Sequence, residues 1–329
     1  MLEKKFTILN SIGLSAVLFC FFKILCPSRL KIRYKIFPSH FDPVVYRKQN
    51  ADLKRMSNKK LELHYNEFGL KEGRIADSIS SRNQLVEHIT KLKFASCLEI
   101  GPFDCPILVG ENVKYFDVLS QEELIERANR IGRIDNLQNI PFIDFVSKEG
   151  RIDAISQKFD LILSCHAIEH QLDFIQHLND VSHLLNQNGY YIVICPDKRY
   201  CFDHFIPETS IADLIAAHTK PSQSHSIKSV IEHRALTCHN DPARHWAGDH
   251  GHFKIDVERV KCAIEEYQKA KVDKQYIDVH SLQFTPKSFQ ENMEILYSMN
   301  FTDLVVEEIY PTIKNSLEFF AVLKKNQFS

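Results

Sequence analysis

The sequence predicts an α/β protein: an open sheet of seven strands with helices between them, a large insertion after strand five, and a small helical module ahead of the sheet. Three observations predict it. Residues 96–117, SCLEIGPFDCPILVGENVKYFD, read as a short buried strand, a tight turn at Gly101-Pro102, and a second apolar run tipped by Asp117. That is the opening unit of a nucleotide-binding α/β domain. From about residue 80 onward, apolar runs of strand length alternate with amphipathic segments of helix length. The last two runs, 304–309 and 317–323, are joined only by a turn near Pro311.

The chain has 329 residues, enough for one large core and a small appendage. Charged residues make up 25% and hydrophobic residues 44%, as in an ordinary globular protein. Net charge is −1, with seven Lys and Arg against one Glu in residues 1–35 and an acidic balance beyond. No broad basic face is expected, so nucleic acid is excluded as a partner of the main body. Nine cysteines lie scattered without CxxC pairs, several inside apolar strands (Cys97, Cys165, Cys195). This pattern indicates reduced thiols in the cytosol and excludes a zinc ribbon.

Taken in order, residues 6–22 form an apolar stretch flanked by Lys4, Lys5 and Lys23, which Ile24 to Cys26 extend. It is close to the length that spans a bilayer, and no small-x-small cleavage site follows. The basic residues after it outnumber those before, which would leave the body in the cytoplasm, anchored to the inner face of the membrane by residues 6–26. The alternative is a helix packed on the protein itself.

Residues 36–79 form a separate helical module. Phe41-Asp42-Pro43 reads as a helix start, with Asp42 as cap and Pro43 in the first turn. Tyr46, Leu53, Leu61, Tyr65 and Phe68 supply an apolar face, and Gly69 and Gly73 are stop signals. Through Phe41, Asp42, Tyr46, Asn50, Asp52, Leu53, His64, Tyr65, Phe68, Gly69, Glu72, Gly73 and Arg74, the module resembles one carried by bacterial surface-polysaccharide proteins, including glycosyltransferases. The resemblance implies docking, with polysaccharide-assembly enzymes as partners, and no catalytic residue.

The α/β body runs over residues 80–329. A helix at 82–92 precedes strand one. After Asp117, Ser120 caps a helix and Glu123 completes a capping box. Strand three is expected around Phe142 to Phe145, strand four at 159–164, and a helix at 172–185. The turn Asn186-Gln187-Asn188-Gly189 then leads into strand five, 190–195.

Glycine at 101 lets backbone approach a ligand, and a carboxylate at the tip of strand two can accept both ribose hydroxyls. Each such bond to a charged acceptor is worth roughly 1.5–3 kcal/mol. At Leu98-Glu99-Ile100-Gly101, followed by Pro102-Phe103-Asp104-Cys105-Pro106, the chain resembles the class I S-adenosylmethionine-dependent methyltransferases. Their first motif is an acidic residue, an apolar residue and a glycine-rich loop. The family's second and third glycines would fall at Phe103 and Cys105. An ordinary βαβ turn without a ligand is the alternative on this segment. The resemblance implies a Rossmann-like seven-stranded methyltransferase sheet whose final strand runs antiparallel to the rest.

Ligands in open α/β sheets bind at the carboxyl ends of strands. That rule and the resemblance together give a donor site of Glu99, Gly101, Pro102, Phe103, Asp117, Val118, Leu119, Asp144, Cys165 and His166. The segment FDLILSCHAIEH is a second match: in such methyltransferases the stretch after strand four lies beside the sulfonium, which implies that Glu169 and His170 face the substrate. His166-Ala-Ile-Glu169-His170 also spells an inverted zinc-protease signature, but that motif sits on a helix and has no nucleotide strand directly ahead of it.

The insertion, 196–285, is rich in histidine: eight of the sixteen lie within residues 204–252. Three readings stay open: a substrate cap in which Trp246 or Tyr200 stacks on a sugar or ring, a divalent-metal site of His and carboxylate, and a polar lid. Methyl transfer to an alcohol requires removal of its proton, and a histidine suits that task. His204, His245 and His250 are the candidate bases, with His280 facing the site. No metal ligands are assigned. The expected activity is S-adenosylmethionine-dependent O-methylation of a saccharide or surface-glycan precursor. The rivals are a non-catalytic scaffold of the same fold at the membrane and a metal-dependent hydrolase using the insertion.

Overall fold

The computed structural model describes residues 35–326, apart from 149, 274 and 276. The anchor expected at 6–26 lies outside the described residues. Among them, no helix is long and apolar enough to cross a membrane.

One sheet organises the body. It has seven strands: β1 (Cys97–Ile100), β2 (Val113–Asp117), β3 (Phe145–Val146), β4 (Phe159–Cys165), β5 (Leu185–Pro196), β6 (Leu304–Tyr310) and β7 (Glu318–Lys325). Their order is β3-β2-β1-β4-β5-β7-β6. Neighbours from β3 to β5 pair in parallel, and β7 runs antiparallel to both β5 and β6. This is the seven-stranded, Rossmann-like sheet expected, with the final strand reversed. The chain leaves β1 to one side for β2 and β3, then returns to its other side as β4. The crevice at the carboxyl ends of β1 and β4 is therefore the topological switch point, where ligands bind in such sheets.

β4 and β5 are near-continuous apolar runs because helices cover both faces of a parallel sheet. Leu98, Ile162, Tyr191, Val193 and Ala321 are buried in one core with Phe174, Leu178, Phe289 and Leu296. Full burial of each large apolar side chain contributes roughly 1.5–3 kcal/mol.

Three elements differ from expectation. β3 begins at Phe145, not Phe142, and Phe142 is exposed. The Asp144 carboxylate accepts the Tyr115 backbone N–H (3.0 Å), occupying a donor that an earlier start of pairing would use. β5 starts at Leu185; its register against β4 shifts between Phe159 and Leu161, so 186–189 bulge out, with Asn188 at φ 68°. The helix after β4 is Phe174–Leu184, capped by Asp173, which accepts from Gln176 N.

Ahead of the sheet, α1 (Pro43–Gln49) is capped by Asp42 as predicted. It packs with α2 (Asn58–His64), a π-helical turn (Tyr65–Gly69) and α3 (Leu70–Glu72). Tyr46, Leu53, Leu61, Tyr65 and Ala76 form the core of this module. Phe68 is exposed, a correction to its expected burial, because the wider π turn carries it off the apolar face. Gly69 does not stop the helix. It is glycine for space: a Cβ there would meet the Tyr65 ring at 2.8 Å. Gly73 ends α3 in the left-handed conformation, φ 63°. From Phe37 on, module and sheet form one compact unit.

The flanking helices are α4 (Arg82–Leu92), α5 (Gln121–Arg130, with the Ser120/Glu123 capping box), α6 (Phe174–Leu184) and α11 (Pro286–Ser298). The insertion contains α7 (Ile211–Thr219), α8 (Ile227–Ala235), α9 (Pro242–Trp246) and α10 (Val257–Asp273). Val230, Ala263, Ala270, Ile277 and Val279 form its own small core. Its two ends are tied together where Lys198 N donates to the Phe284 carbonyl at 2.9 Å.

Candidate functional site

The loop after β1 turns at Gly101, φ 72°. A Cβ on Gly101 would stand 3.4 Å from the Cβ of Ala167, in the loop after β4, so the two loops lie close together at this seam. Phe103 also has a positive φ, 41°. It holds the kind of backbone conformation a glycine would take, at a cost of order 1–3 kcal/mol. The guanidinium groups of Arg127 and Arg133 lie over its ring, 5.1 and 5.3 Å from the centroid.

Beyond this seam opens a cavity of about 650 Å³, within the size range of small-molecule sites. Its near wall is Ile100, Gly101, Phe103, Phe116, Asp117 and Val118; Arg127, Lys148, Gly150 and Arg151 close one side. His166, Ala167, His170, Gln171, Leu172, Asp173, Gln176, His177 and Asp180 line the other, with Pro221, Ser222, Gln223 and Asp278 contributed by the insertion.

Asp117 is buried at the tip of β2 and accepts the Leu119 backbone N–H at 3.1 Å. Burial pushes its carboxyl up to about 6, against the pull of the Leu119 and Val118 amides. His166 has φ 49°, and its Nε2 meets Glu318 at 3.0 Å. Glu318 also takes the Arg82 guanidinium on both oxygens, 3.1 and 2.6 Å. Burial opposes ionisation of Glu318, but His166 and Arg82 outweigh it and hold its carboxyl at about 2. His170 Nδ1 lies 3.2 Å from Asp278, which also pairs with Arg127. Burial opposes the charged form of His170, but Asp278 and Glu169 more than offset it and raise its pKa.

Of the predicted site residues, Gly101, Phe103, Asp117, Val118, His166 and His170 come together on this cavity. The others do not line it. Glu99 turns back into its own loop, where it accepts from Ile107 N (2.9 and 3.0 Å) and Leu108 N (2.8 Å). Burial raises its carboxyl to about 7. Asp144 is held by Lys114 (2.7 Å) and the Tyr115 amide. Pro102 is buried outside the cavity wall, as is the half-buried Cys165, whose thiol burial pushes up; Leu119 likewise stays off the wall. Glu169 is buried behind the wall.

His204, His245 and His250 form a cluster of their own in the insertion, off the cavity wall. His204 and His250 stack at 3.8 Å, and His245 Nδ1 lies 3.0 Å from His250 Nδ1. Tyr200 and Trp246 stack on each other at 4.0 Å, and the indole N–H donates to the Ser316 carbonyl. This corrects the expectation that either ring waits for a sugar. The 166–170 segment, set aside above as a protease signature, forms only a 3-10 turn, Ile168–His170. His280 is buried rather than facing the cavity, its Nδ1 2.6 Å from Asp203.

The far wall at 171–180 and 221–223 carries no motif. Its only trace in the sequence is polar: buried His177 and Asp180 lie on α6, a helix whose other inward positions, Ser182 apart, are apolar.

No family model and no curated protein matches the sequence. Solved structures give shallow likenesses. An S-adenosylmethionine-dependent methyltransferase from Clostridium acetobutylicum aligns over 82% of this chain and 99% of its own, at 11% identity and a TM-score of 0.38. The CcbJ methyltransferase from Streptomyces caelestis covers 76% of this chain and 97% of its own, at 10% identity and 0.38. The plantazolicin methyltransferase BpumL, solved with a monoazolic desmethylPZN analog and SAH, covers 87% and 96%, at 12% identity and 0.37. The functional reading rests on the strand order and the cavity instead.

Proposed function

We propose that this chain is an S-adenosylmethionine-dependent methyltransferase acting on a hydroxyl of a saccharide or related surface-glycan precursor. One observation carries the reading. The cavity opens at the switch point of the sheet, between a glycine that leaves backbone bare at the end of β1 and a buried carboxylate at the end of β2. These features fit an adenosyl donor. Asp117 offers an acceptor to vicinal ribose hydroxyls, Gly101 leaves bare backbone on the wall, and the volume accommodates a nucleoside-sized group. When bound, the donor supplies an electrophilic methyl group on sulfur.

The chain's own residues would do the rest. Asp117 and the Gly101–Phe103 turn hold and orient the donor. His166 is the imidazole we assign to the acceptor: its ring lines the cavity, and Glu318, anchored by Arg82, fixes its Nε2. Such orientation leaves Nδ1 to take the acceptor's proton. Proximity and alignment supply most of the rate. The far wall favours a polyhydroxylated acceptor, because Gln171, Asp173, Gln176, Asp180, Ser222 and Gln223 are all polar. The likeness of the N-terminal module to those of surface-polysaccharide proteins supports the same substrate class.

Incubation with methyl-labelled S-adenosylmethionine and a cell-envelope extract tests the reading. Label is expected in a carbohydrate fraction, dependent on His166. Label that appears only in protein or nucleic acid would contradict the proposed acceptor.

A further inference from the structure

Behind the cavity wall lies a second constellation that methyl transfer does not use. The backbone carbonyl of Glu169 accepts from Ser281 N (2.8 Å) and Leu282 N (3.0 Å), which draws the insertion's returning segment against the turn after β4. That contact brings Glu169, His170 and His280 together, with one ligand-capable atom of each within 4.8 Å of the others.

The chemistry of the three is unusual. Glu169 is 1% exposed, and neither carboxylate oxygen has a hydrogen-bond partner. A bare buried carboxylate costs several kcal/mol unless a cation meets it. The nearest ring nitrogen on the insertion side, His280 Nε2, lies 3.8 Å away. His280 is held from behind by a carboxylate, Asp203 at its Nδ1 (2.6 Å), and Asp278 lies 3.2 Å from His170 Nδ1 as an ion-pair neighbour without hydrogen-bond geometry. A carboxylate on the remote nitrogen is the recurring outer shell of a metal-binding histidine, because it fixes the ring and leaves the other nitrogen as the ligand. The two rings are 4.8 Å apart and nearly perpendicular, 88°, so their in-plane lone pairs can converge.

We propose that Glu169, His170 and His280 bind a divalent transition cation of the zinc class, with Asp203 and Asp278 as outer-shell partners. Ligand atoms on such an ion stand roughly 3.3 Å apart, with bonds of about 2.0–2.1 Å. Separations of up to 4.8 Å therefore need to close by up to about 1.5 Å. The other histidine cluster fits worse: the His204 and His250 rings stack in nearly parallel planes, 10° apart, so their lone pairs do not meet at one point. His233 is excluded as a ligand in its neutral form, because its Nδ1 accepts the His280 backbone N–H and its proton sits on Nε2. His170 also lines the cavity, so the ion would sit at its edge, beside the acceptor half.

The test uses the full chain, stripped with a chelator and titrated with Zn²⁺ alone against a chromophoric competitor. We expect one ion per chain with sub-micromolar affinity. Glu169→Gln, which keeps shape and removes charge, should weaken it at least 100-fold, and Asp203→Asn by 10- to 100-fold. His204→Ala should leave it unchanged. X-ray absorption on the zinc-loaded wild type requires no variant: two imidazoles with oxygen ligands are expected. No stoichiometric uptake, uptake indifferent to Glu169→Gln, or a shell of three imidazoles would overturn the proposal. Metal uptake is measured without donor, so its outcome leaves the donor-site reading untouched.

Discussion

Gly101 and Ala167 meet on the wall of the cavity, and a Cβ added to the glycine would stand 3.4 Å from the alanine methyl. The pair joins the loops after β1 and β4, the two strands between which the sheet reverses its winding. A ligand in the cavity meets bare backbone at Gly101 and the carboxylate of Asp117.

Asp117 should therefore set the pH dependence of donor binding. Burial lifts its carboxyl to about 6, and ribose hydroxyls require the ionised form. Affinity for S-adenosylhomocysteine should be flat above pH 7 and fall about tenfold between pH 7 and pH 5. Asp117→Asn should bind more weakly and lose that slope. Calorimetry across this range checks both; a wild-type affinity indifferent to pH would remove Asp117 from the site.

His166→Ala should lower methyl transfer by about 10²–10⁴-fold while donor affinity stays within twofold. Glu318→Gln should lower transfer less, because it loosens the imidazole rather than removing it. A parallel loss of donor affinity in His166→Ala would mean that the ring holds the donor.

Glu99 bears on stability. Its carboxyl ordinarily titrates near 4.5 and is raised to about 7 by burial. The folded state therefore binds the proton more tightly than the unfolded state, so this contribution is full below pH 4.5 and is lost as pH rises through 7. The span is about 3 kcal/mol. Glu99→Gln still offers an oxygen to the Ile107 and Leu108 amides. The variant should be relatively more stable at pH 8 than at pH 5, compared with wild type in urea melts. An unchanged difference between the two pH values would refute the linkage.

Gly73→Ala should destabilise the protein by about 2 kcal/mol or more. Gly73 has φ 63°, and a Cβ would collide with the backbone of Lys314 and approach Trp246 to 2.5 Å. A melting temperature within 2 °C of wild type would show that the 311–316 turn yields instead.

Much of the fold was legible in the sequence. Asp42, Ser120 and Pro286 mark helix starts by local chemistry, and local chemistry is what a sequence displays. The sheet followed from runs of apolar residues, and the near wall of the cavity from Gly101 and Asp117. Glu99 was read as a ligand group because position alone does not reveal that Ile107 and Leu108 turn their amides back to it. Phe103 shows the opposite limit: the positive φ persists where the glycine does not, and no sequence pattern records it. The far wall brings 171–180 against 221–223 of the insertion, and the Glu169–His170–His280 constellation joins the turn after β4 to the end of the insertion, more than 100 residues away. The histidines were visible, but which of them meet depended on tertiary packing. His204, His245 and His250 found one another, and His280 found Asp203.

The account turns on whether the cavity at the ends of β1 and β2 takes an adenosyl ligand. Calorimetric titration of S-adenosylhomocysteine into the full chain at pH 7.5 measures this directly. We predict saturable one-to-one binding, weakened tenfold or more by Asp117→Ala and abolished by Gly101→Val, with both variants still folded. No heat of binding at millimolar ligand, or binding indifferent to both substitutions, would contradict it.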